Sequence, residues 1–194
     1  MQPSLRLSPR FDAALLKADL RALVAEDFIP HFNTGYYEGD WSVVPLRSVG
    51  GGSRQIYPDP ASRAAFADTP LLDGCPYFRQ VMGFFACPQQ AVRLLRLKAG
   101  SVIKEHTDLD LGYDDGEVRL HIPVVTNAQV VFMLGGRRVA MAEGECWYND
   151  FNLPHSVANN GATDRIHLVL DCVLNDWLRA LIEEAAASAG ADPG

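Results

Sequence analysis

The rhythm of hydrophobic and polar positions changes twice along this chain. Leu16, Leu20 and Leu23 recur on one face while Lys17, Asp19, Arg21 and Glu26 take the other, the spacing of an amphipathic helix. Ser8 as cap and Pro9 at the first helical position predict its start, and Pro30 its end. Trp41 to Arg47 then reads as a strand that Pro45 confines to a sheet edge or end. Gly50-Gly51-Gly52-Ser53 predicts a hinge; with no lysine and no helix after it, it does not make a phosphate cradle. The region from residue 48 to Pro76, including Tyr57-Pro58-Asp59-Pro60, predicts a long irregular connection, either a lid or binding loop or a plain surface excursion. Tyr77 to Phe84 predicts a short helix.

From Ala91 onward the pattern is that of short strands. Val92 to Leu97, Val102 to His106, Val118 to Val125, Val130 to Met133, Arg137 to Met141, Glu145 to Tyr148 and Arg165 to Val173 alternate or are apolar and β-branched. Leu134-Gly135-Gly136 predicts a hairpin turn, Asp108 to Gly116 an acidic loop, and a further loop carries Pro154 and His155. Arg119 and His121 share one face of their strand, Leu120, Ile122 and Val124 the other; Arg165, His167 and Val169 also point one way. About eight short strands at this spacing predict a mainly β domain, a double-stranded β-helix (jelly roll, cupin-like) with flanking N- and C-terminal helices. Asn175 caps the last helix, whose apolar positions are Trp177 or Leu178, Leu181, Ile182 and Ala185, with fraying expected from Ala186 to Gly194.

A length of 194 residues fits a single domain, 1–194, with the jelly-roll core at about 90–175. Hydrophobic residues at 48% and charged residues at 21% are ordinary for a globular protein. A net charge of -7 with scattered basic residues argues against a nucleic-acid partner. Cys75, Cys87, Cys146 and Cys172 form no C-x-x-C pair and read as buried free thiols. Met1 to Arg10 lacks the pattern of a signal peptide and no segment reaches membrane-spanning length, so the expected location is cytoplasmic, with no membrane partner.

The chemistry concentrates between His106 and Arg165. His106 and Asp108 are two residues apart, so in an extended segment both side chains leave one face, half of a chelate. His155 supplies a second imidazole after enough chain for several strands. Two histidines and one carboxylate form the facial set that holds non-haem Fe(II) with positions left open. Asp110, Asp114 and Asp115 also lie near His106, but the two-residue spacing favours Asp108, and the others read as a solvated acidic loop. His31, in a stretch with Tyr36, Tyr37 and Trp41, reads as a structural polar residue rather than a ligand.

These residues, with Arg119-Leu120-His121, Gly144-Glu145-Cys146-Trp147-Tyr148, Leu153-Pro154-His155-Ser156-Val157 and Arg165-Ile166-His167-Leu168-Val169, make the sequence resemble the aspartyl/asparaginyl β-hydroxylase family of Fe(II)- and 2-oxoglutarate-dependent dioxygenases. The likeness spans roughly residues 90 to 175, and bacterial relatives include hydroxylases of free amino acids. It implies Fe(II) as metal, 2-oxoglutarate as cosubstrate and O2 as oxidant, with decarboxylation to succinate coupled to hydroxylation of an unactivated C–H. It implies His106, Asp108 and His155 as metal ligands and catalytic centre, Arg165 as clamp for the distal carboxylate of 2-oxoglutarate, and His121 near its metal-side carboxylate. Arg119 would serve cosubstrate or substrate, or simply pair with a nearby carboxylate; His167 would pack beside them. Some relatives lack the metal carboxylate, which Asp108 supplies here. Without the N-terminal repeats and membrane anchor of animal members, the expected substrate is a small molecule or peptide, one that carries a carboxylate. Two other classes stay open: a jelly-roll metalloenzyme using its metal as Lewis acid, and a non-catalytic small-ligand binding module.

Overall fold

The computed structural model describes residues 1–56 and 62–190. In chain order the elements are β1 (Ser4–Arg10), α1 (Ala13–Leu20), β2 (Ile29–Pro30), β3 (Tyr37–Glu38), β4 (Trp41–Val49), β5 (Phe66–Asp68), α2 (Pro76–Phe84), β6 (Gln89–Leu97), β7 (Val102–His106), β8 (Glu117–Val125), β9 (Val130–Leu134), β10 (Arg137–Val139), β11 (Glu145–Asn149), β12 (His155–Asn159), β13 (Arg165–Val173) and α3 (Asp176–Gly190). They build two antiparallel sheets. One runs β1-β11-β8-β13-β6-β4-β2, with β5 added outside β4; the other runs β10-β9-β12-β7-β3. This is the predicted jelly roll.

The parity of each strand decides what it faces. On the central strands β8 and β13, Val118, Leu120, Ile122, Leu168, Leu170 and Cys172 point to one side and join Leu5, Leu7, Leu16, Phe78, Leu178 and Ile182 in the main core, under the three helices. The opposite face carries Arg119, His121, Arg165 and His167 toward the second sheet. There a smaller core of Trp41, Leu97, Ile103, Phe132, Leu134, Phe151 and Val157 closes only part of the gap between the sheets. A strand buried on both faces cannot alternate apolar with exposed polar, and β13 is buried from Arg165 through Cys172. Its polar positions are therefore interior and chemically exceptional.

Several expectations are corrected. Ser8-Pro9 does not start a helix: it lies in β1, where the pairing with β11 shifts between Leu7 and Arg10, a break in the ladder that tolerates a proline without an N–H. The helix begins at Ala13, capped by Asp12, whose carboxylate accepts from the Ala14 and Leu15 N–H groups at 2.8 and 3.2 Å, and it ends at Leu20, well before Pro30. Asp19, assigned to the polar face, is buried because its carboxylate accepts the Phe78 N–H at 2.7 Å in the first turn of α2. His155 opens a strand rather than sitting in a loop, and α3 continues through residues expected to fray, to Gly190, with Ala185 and Ala186 extending its buried face.

Pro45 does not confine β4 to an edge, since β6 flanks the strand on one side and β2 and β5 on the other; it is tolerated because neither β2 nor β5 reaches its position, so its missing N–H costs no ladder bond there. Other expectations hold. The Leu134 to Gly136 turn has Gly135 and Gly136 at φ 54° and 76°, as the β9–β10 hairpin requires. The four cysteines are free, Cys75, Cys146 and Cys172 buried and Cys87 half-buried. Tyr57 to Pro60 lies outside the described residues. Among the described residues, no helix is long and apolar enough to cross a membrane.

Candidate metal and carboxylate site

His106 ends β7 and His155 begins β12, and antiparallel pairing sets the two opposite each other. Their rings lie 4.2 Å apart. Each donates Nδ1–H to the carbonyl two residues earlier: His106 to Lys104 O at 2.8 Å, His155 to Leu153 O at 3.0 Å. Those bonds fix the tautomer and leave Nε2 of both rings as a lone pair. Burial lowers the pKa of His155 below its ordinary value and keeps that ring neutral. Asp108 follows β7, with its N–H held by Phe151 O at 2.9 Å, and one carboxylate oxygen stands 3.8 Å from His106 Nε2. One ligand atom from each of His106, Asp108 and His155 lies within 4.8 Å of the others. Two imidazole lone pairs and a carboxylate oxygen at this spacing suit a divalent first-row metal such as Fe(II). Asp110 is exposed, at φ 60°, and is not part of the cluster.

These groups open into a cavity of about 420 Å³ between the sheets, lined by His31, Trp41, Arg93, Arg119, His121 and Arg165 among others. Exposed Phe32, Tyr36 and Leu109 stand among its lining residues. His31 stacks on Trp41 with centroids 3.5 Å apart, and burial, with the Arg93 charge nearby, lowers its pKa to about 4. It is not in the metal cluster, as expected, but it is part of the cavity wall.

Arg165 is only 2% exposed. Among the described residues no carboxylate pairs with it, and its Nε has no partner. Burial pulls its pKa down to about 9, which still leaves a cation at neutral pH. Its Nη2 donates to His167 Nδ1 at 3.0 Å. That nitrogen is therefore an acceptor, so His121 Nδ1, 3.2 Å from it, must carry the hydrogen and donate as well. His121 Nε2 is then a buried lone pair with no partner. Burial and the Arg165 charge push the pKa of both rings well below the ordinary value.

Of the readings for Arg119, the structure displays the ion-paired one. Its guanidinium meets Asp171 through Nε and Nη2 at 2.6 and 3.1 Å, and Asp108 through Nη1 at 2.5 Å. Burial opposes its charge, but the two carboxylates more than offset this and raise its pKa. Sequence reasoning missed Asp171 and Arg93. The signal was present: continuing the Arg165, His167, Val169 parity by one step reaches Asp171, and Arg93 has the inward parity of Leu97 on β6.

Fold and site together define a jelly roll with an open two-histidine, one-carboxylate cluster and a buried arginine that has no carboxylate partner among the described residues. The sequence profile described as Aspartyl/Asparaginyl beta-hydroxylase matches residues 11–174, and the chain belongs to that family. It is 30% identical over 164 residues to an L-proline cis-4-hydroxylase of Rhizobium meliloti (strain 1021), covering 84% of this chain; it spans 58% of that relative's length. Its fold is similar to a 2OG-Fe(II) oxygenase family oxidoreductase from Burkholderia pseudomallei (TM-score 0.57, 16% identity, 88% of this chain and 85% of the other). It is also similar to a Pseudomonas putida prolyl-4-hydroxylase (TM-score 0.54, 14% identity, 89% and 93% covered).

Proposed function

We propose that this protein is an Fe(II)- and 2-oxoglutarate-dependent dioxygenase that hydroxylates an unactivated C–H of an amino acid or amino-acid-derived molecule. The observation that carries the reading is Arg165: a buried guanidinium without a carboxylate is costly, and the distal carboxylate of a diacid would complete it. A hydrolytic zinc centre could use the same three ligands but would give Arg165 no partner.

His106 and His155 would hold the metal through Nε2, and Asp108 through the oxygen not bound to Arg119. With iron and 2-oxoglutarate bound, the pair supplies the oxidising chemistry, in which O2 converts the oxoacid to succinate and CO2 and one oxygen atom enters the substrate. The chain's own contribution is placement and exclusion of water. Arg165 would anchor the diacid, and His121, whose Nε2 has no partner among the described residues, would stand beside it in the cavity wall. Phe151, edge-on to His155 at 4.7 Å and stacked near His121 at 5.0 Å, walls the site with apolar surface.

The cavity volume suits a small acid beside 2-oxoglutarate rather than a folded protein. The relative's substrate makes L-proline the first compound to try. The test is a turnover screen of free amino acids and short peptides with iron and 2-oxoglutarate. Expected is succinate formation with a mass gain of one oxygen in one compound; succinate independent of iron, or none with any compound, contradicts the reading.

A further inference from the structure

Arg93, Asp171 and Arg119 sit on the neighbouring strands β6, β13 and β8, all with cavity-facing parity. Asp171 is paired in register with Arg119, and Val169, two residues earlier, with Arg93. A single carboxylate thus lies between two arginines. Arg119 presents Nε and Nη2 to its two oxygens at 2.6 and 3.1 Å, and Arg93 Nη2 donates to one of the same oxygens. With one edge held this way, Arg119 reaches forward with Nη1 and donates to Asp108 Oδ2 at 2.5 Å. The other oxygen of Asp108 is the one that faces His106 Nε2, at 3.8 Å.

Two arginines and two aspartates balance in charge, so simple neutralisation would account for the cluster's existence. It does not account for its direction. A surface carboxylate on a short side chain rotates freely, and could chelate a metal with both oxygens or leave it altogether. Here one oxygen is occupied by a guanidinium that cannot follow such a rotation, because Asp171 grips its other edge.

We infer that Asp171, braced by Arg93, is a positioning residue for Asp108, acting through Arg119 to present a single carboxylate oxygen beside the two histidines. This rests on the metal-centre reading above. Single-oxygen ligation leaves open the coordination positions that a chelating oxoacid and O2 both need. Partners that orient a ligand in this way typically change metal affinity by about 10–100-fold when removed.

The test is Co(II) binding to the metal-free protein, followed by calorimetry and by the visible spectrum of the bound ion, with no substrate or turnover involved. Asp108→Ala sets the reference and is expected to lose affinity at least a hundredfold. Asp171→Asn and Arg119→Lys, the second of which keeps the charge but lacks the rigid planar fork that holds one carboxylate on each edge, are each expected to weaken binding tenfold or more and to alter the spectrum. Folding is verified by a cooperative melt, and if Asp171→Asn does not fold, Arg119→Lys decides. Affinities within twofold of wild type and an unchanged spectrum in the folded variants, with Asp108→Ala impaired, overturn the positioning role alone. Wild-type affinity in Asp108→Ala overturns the metal-centre reading, and the positioning role falls with it.

Discussion

Arg165 shows most directly how a single residue trades stability for function. Its guanidinium is in the interior with a histidine nitrogen as neighbour and Nε unpartnered, a costly arrangement unless an anion arrives. Arg165→Met, of similar length and without charge, should therefore stabilise the ligand-free protein by about 1–2 kcal/mol in urea denaturation, since apolar replacement of a poorly compensated buried charge is commonly favourable. The same substitution should raise the 2-oxoglutarate requirement by tens-fold to about a hundredfold, matching the ~1.5–3 kcal/mol of a charge-assisted hydrogen bond. A destabilised variant with unchanged cosubstrate affinity would contradict the assignment. His106, Asp108 and Arg165 were legible as candidate-site residues because their order matches a family pattern. Asp171 was passed over: the parity of Arg165 and His167 reaches it, but its partnership with Arg119 and Arg93 shows only once the strands on either side are known.

At the scale of elements, the strands between Gln89 and Val173 other than β12 were read well because alternation and turn glycines are local signals, whereas β12 and the N-terminal stretch were not. Ser8-Pro9 fits a helix start in isolation, and only pairing of Leu5 and Leu7 with Tyr148 and Cys146 makes it part of a strand. Tertiary pairing overrode local propensity there. The same interface explains Gly144, at φ 75°, where a Cβ would come within 2.2 Å of Phe11 O. The two-sided burial of β13 predicts which changes the fold resists. Leu168, fully buried under the helices, should cost about 2–5 kcal/mol as Leu168→Ala, read as a lower urea midpoint at unchanged slope. A loss under 1 kcal/mol would mean that the face packs loosely.

For the whole molecule, the buried histidines make stability depend on pH in a definite direction. His121 and His167 are neutral in the fold, with pKa values well below the ordinary 6.5 that they regain on unfolding. The unfolded chain thus binds more protons, so their contribution is fully present above pH 6.5 and is lost as pH falls below it. The metal-free protein should have a melting temperature nearly flat from pH 7 to 8 and falling below pH 6.5, each such ring contributing about 1.4 kcal/mol per pH unit. A stability that is flat down to pH 4.5 would show that these rings are not held neutral. The sheet order and the cavity were beyond sequence reading in detail, because parity says which side chains share a face but not which strands become neighbours. The central claim joins the two sheets: histidines from one and an arginine from the other act on a single diacid. Calorimetric titration of 2-oxoglutarate into Co(II)-loaded protein tests it most directly. One binding site in the wild type, abolished in His155→Ala and strongly weakened in Arg165→Met, is the predicted result; no binding to the wild type, or equal binding to all three proteins, would contradict it.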